Sequence, residues 1–313
     1  MLTDLSDTLV LQLNTTERLP IKPFVKWAGG KSQLLGEIRK FYPSELGKKI
    51  RKYVEPFVGG GAVLFDILST YELDEVYISD LNAELINTYR VLRDYPDKLI
   101  DKLARFQEEF LPGNDDWRKE YYYLKRSLYN QNKAQNILNV EMAALFIFLN
   151  RTCFNGLYRV NSKGEFNVPI GSYKNPSICS ADNLRRASLG LQNVRIVCAD
   201  YLLSDEFVDK RTFVYFDPPY KPLNLSSSFT SYTKNDFTDS DQTKLAAYIK
   251  KLAKRGAFVL ASNSDPKNSD PDDNFFEQLY SGLTIKRVPA SRKINSNANS
   301  RVEINELLIS NLE

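Results

Sequence analysis

Short apolar runs that end in glycine or an acid alternate with helix-spaced segments along most of the chain. Tyr53 to Phe57 reads as a buried strand entering Gly59-Gly60-Gly61, and Ala62 to Leu68 continues as a helix. Glu75 to Ser79 is a second strand ending at Asp80, followed by a helix from about Asn82 to Leu92. Ahead of them, Ile21 to Trp27 is short and apolar-rich and runs into the turn Ala28-Gly29-Gly30-Lys31. From Ser32 the spacing of Leu34, Leu35, Ile38 and Phe41 predicts a helix. Strand, glycine turn, helix, strand, acid is one βαβ half of a doubly wound sheet.

The pattern then changes. Residues 90–150 read as mainly helical, and 150–180 are rich in Asn, Gly and Pro with little helical period. Strands resume with Val194 to Cys198 leading to Asp200, Thr212 to Phe216 leading to Asp217-Pro218-Pro219-Tyr220, and Ala257 to Ala261 leading to Ser262-Asn263. The expected organisation is a leader at 1–20, one α/β domain made of 21–89 and 190–313, and a separate helical insert at 90–189. Leu223 to Phe237, with Ser226-Ser227-Ser228 and Tyr232, reads as a loop that orders with substrate.

Composition narrows the chemistry. The 313 residues contain no histidine, which excludes imidazole bases, imidazole metal sites and Ser-His or Cys-His nucleophiles. Cys153, Cys179 and Cys198 lack metal-ligand spacing, and an odd, sparse count suits a reducing compartment. No apolar run reaches the roughly 18 residues of a membrane span, and no signal peptide is legible, so a cytoplasmic protein is expected. Net charge is only +3, yet Trp117 to Arg186 holds 11 Lys+Arg against 4 Asp+Glu, which leaves the remainder acidic. Tyr121, Tyr122, Tyr123, Tyr129, Phe154, Tyr158 and Tyr173 are interleaved there. Cations neutralise phosphates and aromatic faces stack on bases, so the insert suits nucleic acid. A solvated helical subdomain with a Tyr-rich packing face has the same composition.

Three motifs carry chemistry. Glu55-Pro56-Phe57-Val58-Gly59-Gly60-Gly61 allows close backbone approach to a ligand, but Leu64 stands where a dinucleotide fingerprint needs glycine. Asp80, about 20 residues on, suits a ribose diol. A ligand with a ribose and no required phosphate is implied, and S-adenosylmethionine meets that description; a plain tight turn is the alternative. Lys26-Trp27-Ala28-Gly29-Gly30-Lys31-Ser32 is not a phosphate loop, because Val25 replaces the first glycine of that pattern. Its lysine and aromatic suit a carboxylate and an adenine or sulfonium. Asp217-Pro218-Pro219-Tyr220 is the most specific. Two prolines remove competing N–H donors. A carboxylate and a carbonyl can then accept both hydrogens of an exocyclic amine, making its nitrogen nucleophilic, while Tyr220 offers a stacking face to a base taken out of the helix. A plain turn with a buried tyrosine is the alternative.

In that order, Phe24–Lys31, Glu55–Gly61, Asp80 and Asp217–Tyr220 resemble the DNA N6-adenine methyltransferases of the DNA-adenine-methylase (D12) class. The likeness runs from about residue 22 to 313 and includes Ala261 to Asp265 and Arg292 to Glu306. It implies a Rossmann-like S-adenosylmethionine-dependent sheet with an inserted target-recognition domain, no metal, duplex DNA as partner and a monomer. It also implies that Trp27 and Lys31 contact the cofactor, and that Phe57, Gly59 and Gly61 form its methionine-side turn. Asp80 would bind its ribose and Asp200 and Tyr201 its adenine. Asp217, Pro218 and Tyr220 would be catalytic, with Asp217 also closing the cofactor site. Glu55 stands where Asp is more usual; the charge is unchanged.

The segments Asn150 to Arg159 and Gly164 to Tyr173 resemble the recognition hairpin of the GATC-methylating members. The likeness implies that Phe154 and Asn155 fill the gap left by a flipped base and that Leu157, Arg159, Pro169 and Tyr173 read bases. Lys26 is placed on the DNA side, and Ser172 replaces a basic residue of some members. An arginine on such a hairpin suits guanine O6 and N7, and Leu157 and Pro169 suit a thymine methyl. The expected activity is N6-adenine methylation of 5′-GATC-3′. N4-cytosine methylation, a noncatalytic DNA-binding module and a phosphate-binding NTPase are the alternatives.

Overall fold

The computed structural model describes residues 20–27, 29–221, 237–290 and 304–312. The leader up to residue 19, almost all of the loop expected at 223–237, and 291–303 of the late segment lie outside them. β1 (Lys52–Glu55) leads through α1 (Ala62–Thr70) to β2 (Glu75–Asp80) and α2 (Ala83–Asp94). Three helices follow, α3 (Pro96–Phe110), α4 (Asp115–Ala134) and α5 (Val140–Thr152), then the poorly regular 153–180. α6 (Ala181–Leu191), β3 (Val194–Cys198), β4 (Thr212–Phe216), α7 (Asp239–Lys254), β5 (Phe258–Ser264), α8 (Phe275–Leu279), β6 (Thr284–Ala290) and β7 (Ile304–Ser310) complete the described elements.

The strands form one sheet in the order β3-β2-β1-β4-β5-β7-β6. The first five are parallel, and β7 enters antiparallel between β5 and β6. Strand order reverses between β1 and β4, and an open sheet of this kind has its ligand crevice beyond the carboxyl ends of those strands. Glu55–Gly61 and Asp217–Tyr220 leave there.

Alternation along the strands sorts side chains to two faces. Tyr53, Ile78, Phe213, Tyr215 and Leu260 join one hydrophobic cluster, and Val54, Tyr77, Val214, Phe216 and Val259 join the other with α7. The first cluster does not stop at the sheet. It continues through Leu103 and Phe106 of α3, Tyr122 of α4 and Met142 to Leu149 of α5 into Tyr158, Phe166 and Val168. α5 is buried almost all round, as its apolar run Ala143 to Leu149 requires.

The helix expected after Ser32 is broken into a 3₁₀ turn at Lys31–Gln33, an α-turn at Leu35–Ile38 and a 3₁₀ turn at Arg39–Phe41. Gly36 costs helix stability, and Pro43 drives Tyr42 into extended backbone, which ends the segment. No described helix is long and apolar enough to cross a membrane.

Candidate active site

The glycine turn after β1 is held from three sides. Gly59 donates its N–H to Asp80 Oδ2 at 3.1 Å and accepts the Tyr89 hydroxyl on its carbonyl at 3.0 Å. Gly59 and Gly61 have φ of 47° and 70°, a left-handed backbone that disfavours side chains. A Cβ on Gly59 would also lie 2.7 Å from the Trp27 indole, so Trp27 closes over the turn. Asp80 Oδ1 accepts from Asn82 N–H at 2.9 Å. Burial raises the Asp80 pKa, against the lowering effect of these backbone donors.

Next to this turn, Phe57 and Tyr201 stack with centroids 5.5 Å apart. Asp200 caps the 3₁₀ turn Tyr201–Glu206, its Oδ1 accepting from Leu202 N–H at 2.9 Å.

Beyond β4, Lys31 sets its ammonium 2.8 Å from Asp217 Oδ1 and 4.6 Å from the centre of the Tyr220 ring. Ser262 on β5 donates to the same Asp217 oxygen at 2.9 Å. Among the described residues, nothing donates to Asp217 Oδ2 or to the Pro218 carbonyl. The Pro219 carbonyl is not free, since Gln242 donates to it at 3.0 Å. Of the two proline carbonyls, therefore, that of Pro218 is the one left open among the described residues. The Tyr220 hydroxyl donates to Glu306 Oε2 at 2.6 Å, so this tyrosine is more than a bare aromatic face. Glu55, only 2% exposed, accepts from the Tyr53 hydroxyl at 2.7 Å. Desolvation, reinforced by the Asp217 charge, pushes its pKa up to about 8 in spite of Lys31.

The hairpin forms a second group. Cys153 bridges Ile170 and Val160 bridges Phe166 in antiparallel fashion, and Phe154 N–H donates to the Pro169 carbonyl at 2.9 Å. Phe154, Asn155, Arg159 and Pro169 are exposed, and Leu157 is half-buried. Arg159 is steadied by donating Nε–H to Asn167 Oδ1 at 2.8 Å. Lys26 Nζ lies 4.0 Å above the Tyr173 ring, and its stem packs where a Cβ on Gly156 would be. Asn150 joins the two groups. It accepts from Lys26 N–H and donates to the Lys26 carbonyl, each at 2.7 Å, and donates to the Gly156 carbonyl at 3.0 Å.

The interleaved aromatics divide differently from the base-stacking expectation. Tyr121, Tyr122, Tyr129 and Tyr158 are buried in the core; Tyr158 stacks on Trp27 at 5.7 Å. Helical spacing turns the first three toward α5, and Tyr158 packs on Phe146 from the irregular segment that follows it, which leaves Phe154, Tyr123 and Tyr173 with exposed area. Sequence reasoning passed over Gln242 and the individual roles of Asn150 and Glu306. The last leaves a faint signal, a lone carboxylate at the head of the apolar run Leu307 to Ile309.

A family model described as D12 class N6 adenine-specific DNA methyltransferase matches residues 27–294. The chain is 52% identical over 295 residues to the Type II methyltransferase M.MjaIII of Methanocaldococcus jannaschii, covering 94% of this chain and 100% of that protein. It is 36% identical to the DNA adenine methylase of Haemophilus influenzae, over 93% of this chain and 94% of that one. With the DNA adenine methylase of Escherichia coli K12 the identity is 34%, over 92% and 94%.

Proposed function

The chain belongs to the D12 class of N6 adenine-specific DNA methyltransferases, and on that premise we propose that it moves the methyl group of S-adenosylmethionine to an adenine flipped out of duplex DNA at 5′-GATC-3′. That it is an adenine-specific DNA methyltransferase follows from the family; donor, base flipping and target sequence are this reading. The observation that carries it is the Lys31–Asp217 pair at 2.8 Å, which ties the Lys26–Ser32 turn to Asp217–Tyr220 beside the sheet's switch point.

The residues present fit the donor. Asp80 offers a carboxylate to a ribose diol, and the Phe57–Tyr201 pair with Asp200 offers an apolar slot and an acceptor to an adenine. Trp27, Lys31, Phe57, Gly59 and Gly61 line the methionine side, and Asp217 adds negative charge suited to a sulfonium. When bound, S-adenosylmethionine supplies an electrophilic methyl group. Asp217 Oδ2 and the Pro218 carbonyl then accept the two hydrogens of the target amine. This draws the nitrogen lone pair out of conjugation with the ring. Tyr220 stacks on the base and excludes water. Ser262 holds Asp217 in place from below.

On the DNA side, Arg159 reads a guanine, Leu157 and Pro169 meet a thymine methyl, Phe154 and Asn155 fill the vacated stack, and Lys26 and Tyr173 lie beside them. Residues 90–189 would serve as the recognition domain, 21–89 and 190–313 as the catalytic one, acting as a monomer.

Plasmid DNA treated with the protein and S-adenosylmethionine, then challenged with a nuclease blocked by N6-methyladenine in GATC, tests this. Protection is expected. Methyl incorporation without protection would overturn the target sequence, and no incorporation with Asp217 intact would overturn the donor or the assembled site.

A further inference from the structure

We propose that Glu306 is a positioning residue for the target base, acting through the hydroxyl of Tyr220. This rests on the reading of Tyr220 as the stacking platform and extends it. β7 runs antiparallel between β5 and β6 and sets Glu306 opposite Ser264 on one side and Val288 on the other. From there its Oε2 takes the Tyr220 hydroxyl at 2.6 Å, across 86 residues of chain.

The backbone around Tyr220 is already fixed without this bond. Gln242 holds the Pro219 carbonyl at 3.0 Å and is held by Asn263 at 3.1 Å. Lys221 N–H donates to Asn263 Oδ1 at 3.2 Å, and the Lys221 carbonyl accepts from Ser264 at 2.8 Å. What the backbone contacts leave open is the tilt of the ring about its own side-chain torsions. A hydroxyl pinned to a carboxylate at the far end of the ring removes that freedom, because charge-assisted hydrogen bonds are short and directional. Burial, with Asp217 and Glu306 close by, pushes the Tyr220 hydroxyl well above the usual phenol range, so it stays a donor. Lys31 Nζ lies 4.6 Å from the centre of the same ring and is paired with Asp217, so the ring stands beside the acceptors. Glu306 therefore orients the platform relative to the two acceptors that hold the amine.

The test compares Glu306→Ala, Glu306→Gln, Tyr220→Phe, Tyr220→Ala and the double variant Tyr220→Phe with Glu306→Ala. Each is assayed for kcat and KM on GATC duplex and for fluorescence of 2-aminopurine placed at the target adenine. Glu306→Ala and Tyr220→Phe are each expected to lower kcat by about three- to thirtyfold with KM for DNA little changed. The double variant should be no worse than either, since the two groups act as a unit. Glu306→Gln, which still accepts a hydrogen bond, should keep most of the activity. The flipped 2-aminopurine should be brighter in Glu306→Ala than in the parent, because a loosely held ring stacks on it less well. Multiplicative losses in the double variant, or parental kcat and fluorescence in Glu306→Ala, would overturn the role. If Glu306→Ala does not fold, Tyr220→Phe decides, since it leaves β7 untouched; parental kcat and fluorescence there would overturn the proposal. A Tyr220→Ala enzyme of parental activity would instead sink the underlying reading of Tyr220.

Discussion

Lys31 and Asp217 lie 186 residues apart in the chain and meet as an ion pair of 2.8 Å, the lysine 3% and the aspartate 21% exposed. Removing one partner of such a pair strands the other in poorly solvated surroundings, whereas removing both does not. Lys31→Met should lower stability by about 1–3 kcal/mol, discounted for the partial exposure of Asp217. Adding Asp217→Asn to it should recover part of that loss. Thermal unfolding of the two singles and the double checks it; a double variant less stable than Lys31→Met would refute the coupling.

Asp217→Ala should abolish methylation; it also strands the buried Lys31 ammonium and lowers stability, but the strand before it keeps the fold. Tyr220→Ala should impair methylation less completely, as base stacking is worth about 1–3 kcal/mol. Tyr220→Phe should fall between Tyr220→Ala and the parent, since the ring survives and the bond to Glu306 does not. Single-turnover methyl transfer, alongside circular dichroism, gives the ranking.

For Asp80 two losses are expected together. Its carboxylate serves the ribose in the proposed complex and also holds the N–H groups of Gly59 and Asn82. Asp80→Ala should therefore weaken S-adenosylmethionine binding by more than the roughly ten- to hundredfold that loss of a charged hydrogen bond implies. Asp80→Asn, which retains one acceptor, should be milder. Calorimetry with the cofactor alone distinguishes them, and unchanged affinity in Asp80→Ala would remove this residue from the site.

Glu55 gives a pH signature. Its carboxyl titrates near 8 in the folded chain against an ordinary 4.5. Between these values the native state binds the proton more tightly than the unfolded state. The contribution is fully present below the unfolded value and is lost as pH rises toward 8, at up to about 1.4 kcal/mol per pH unit. Urea unfolding across that window should show this decline in the parent and a flatter profile in Glu55→Gln. Parallel profiles would show that Glu55 is ionised throughout.

Arg159→Ala should relax discrimination at one guanine, at a cost of about 1–3 kcal/mol. Asn167→Ala should reproduce a fraction of that effect, because Asn167 steadies the Arg159 guanidinium at 2.8 Å. Changing Lys174, which stands exposed beyond Tyr173, should weaken all sequences alike and flatten the salt dependence. Binding to GATC and single-base variants at two salt concentrations separates these outcomes.

Strand positions were legible because the parallel strands are short, mostly apolar runs that lead toward glycine or an acid; Val194–Cys198 and Thr212–Phe216 fall where the pattern places them. Asp80, Gly59 and Asp217 were legible because their places at strand ends follow from local order. Glu306 was not, since its partner is decided by an antiparallel strand inserted between β5 and β6, a pairing without local signal. Tyr121, Tyr122 and Tyr129 were ambiguous for a related reason. A tyrosine stripe on a basic helix has one composition whether it faces a core or a base, and only the apolar run of α5 opposite it decides.

The apolar cluster that runs unbroken from Tyr53 and Phe213 through α5 to Tyr158 and Val168 bears on how a new target sequence could be engineered. A recognition module with its own core could be exchanged whole between enzymes. Here such a swap would cut through shared packing, and Trp27, which covers the glycine turn, would lose Phe146 and Tyr158 from its far side. Chimeras joined near 90 and 189 should misfold. Grafts confined to the exposed positions between Phe154 and Tyr173 leave the packing beneath them intact, and they are where retargeting should succeed.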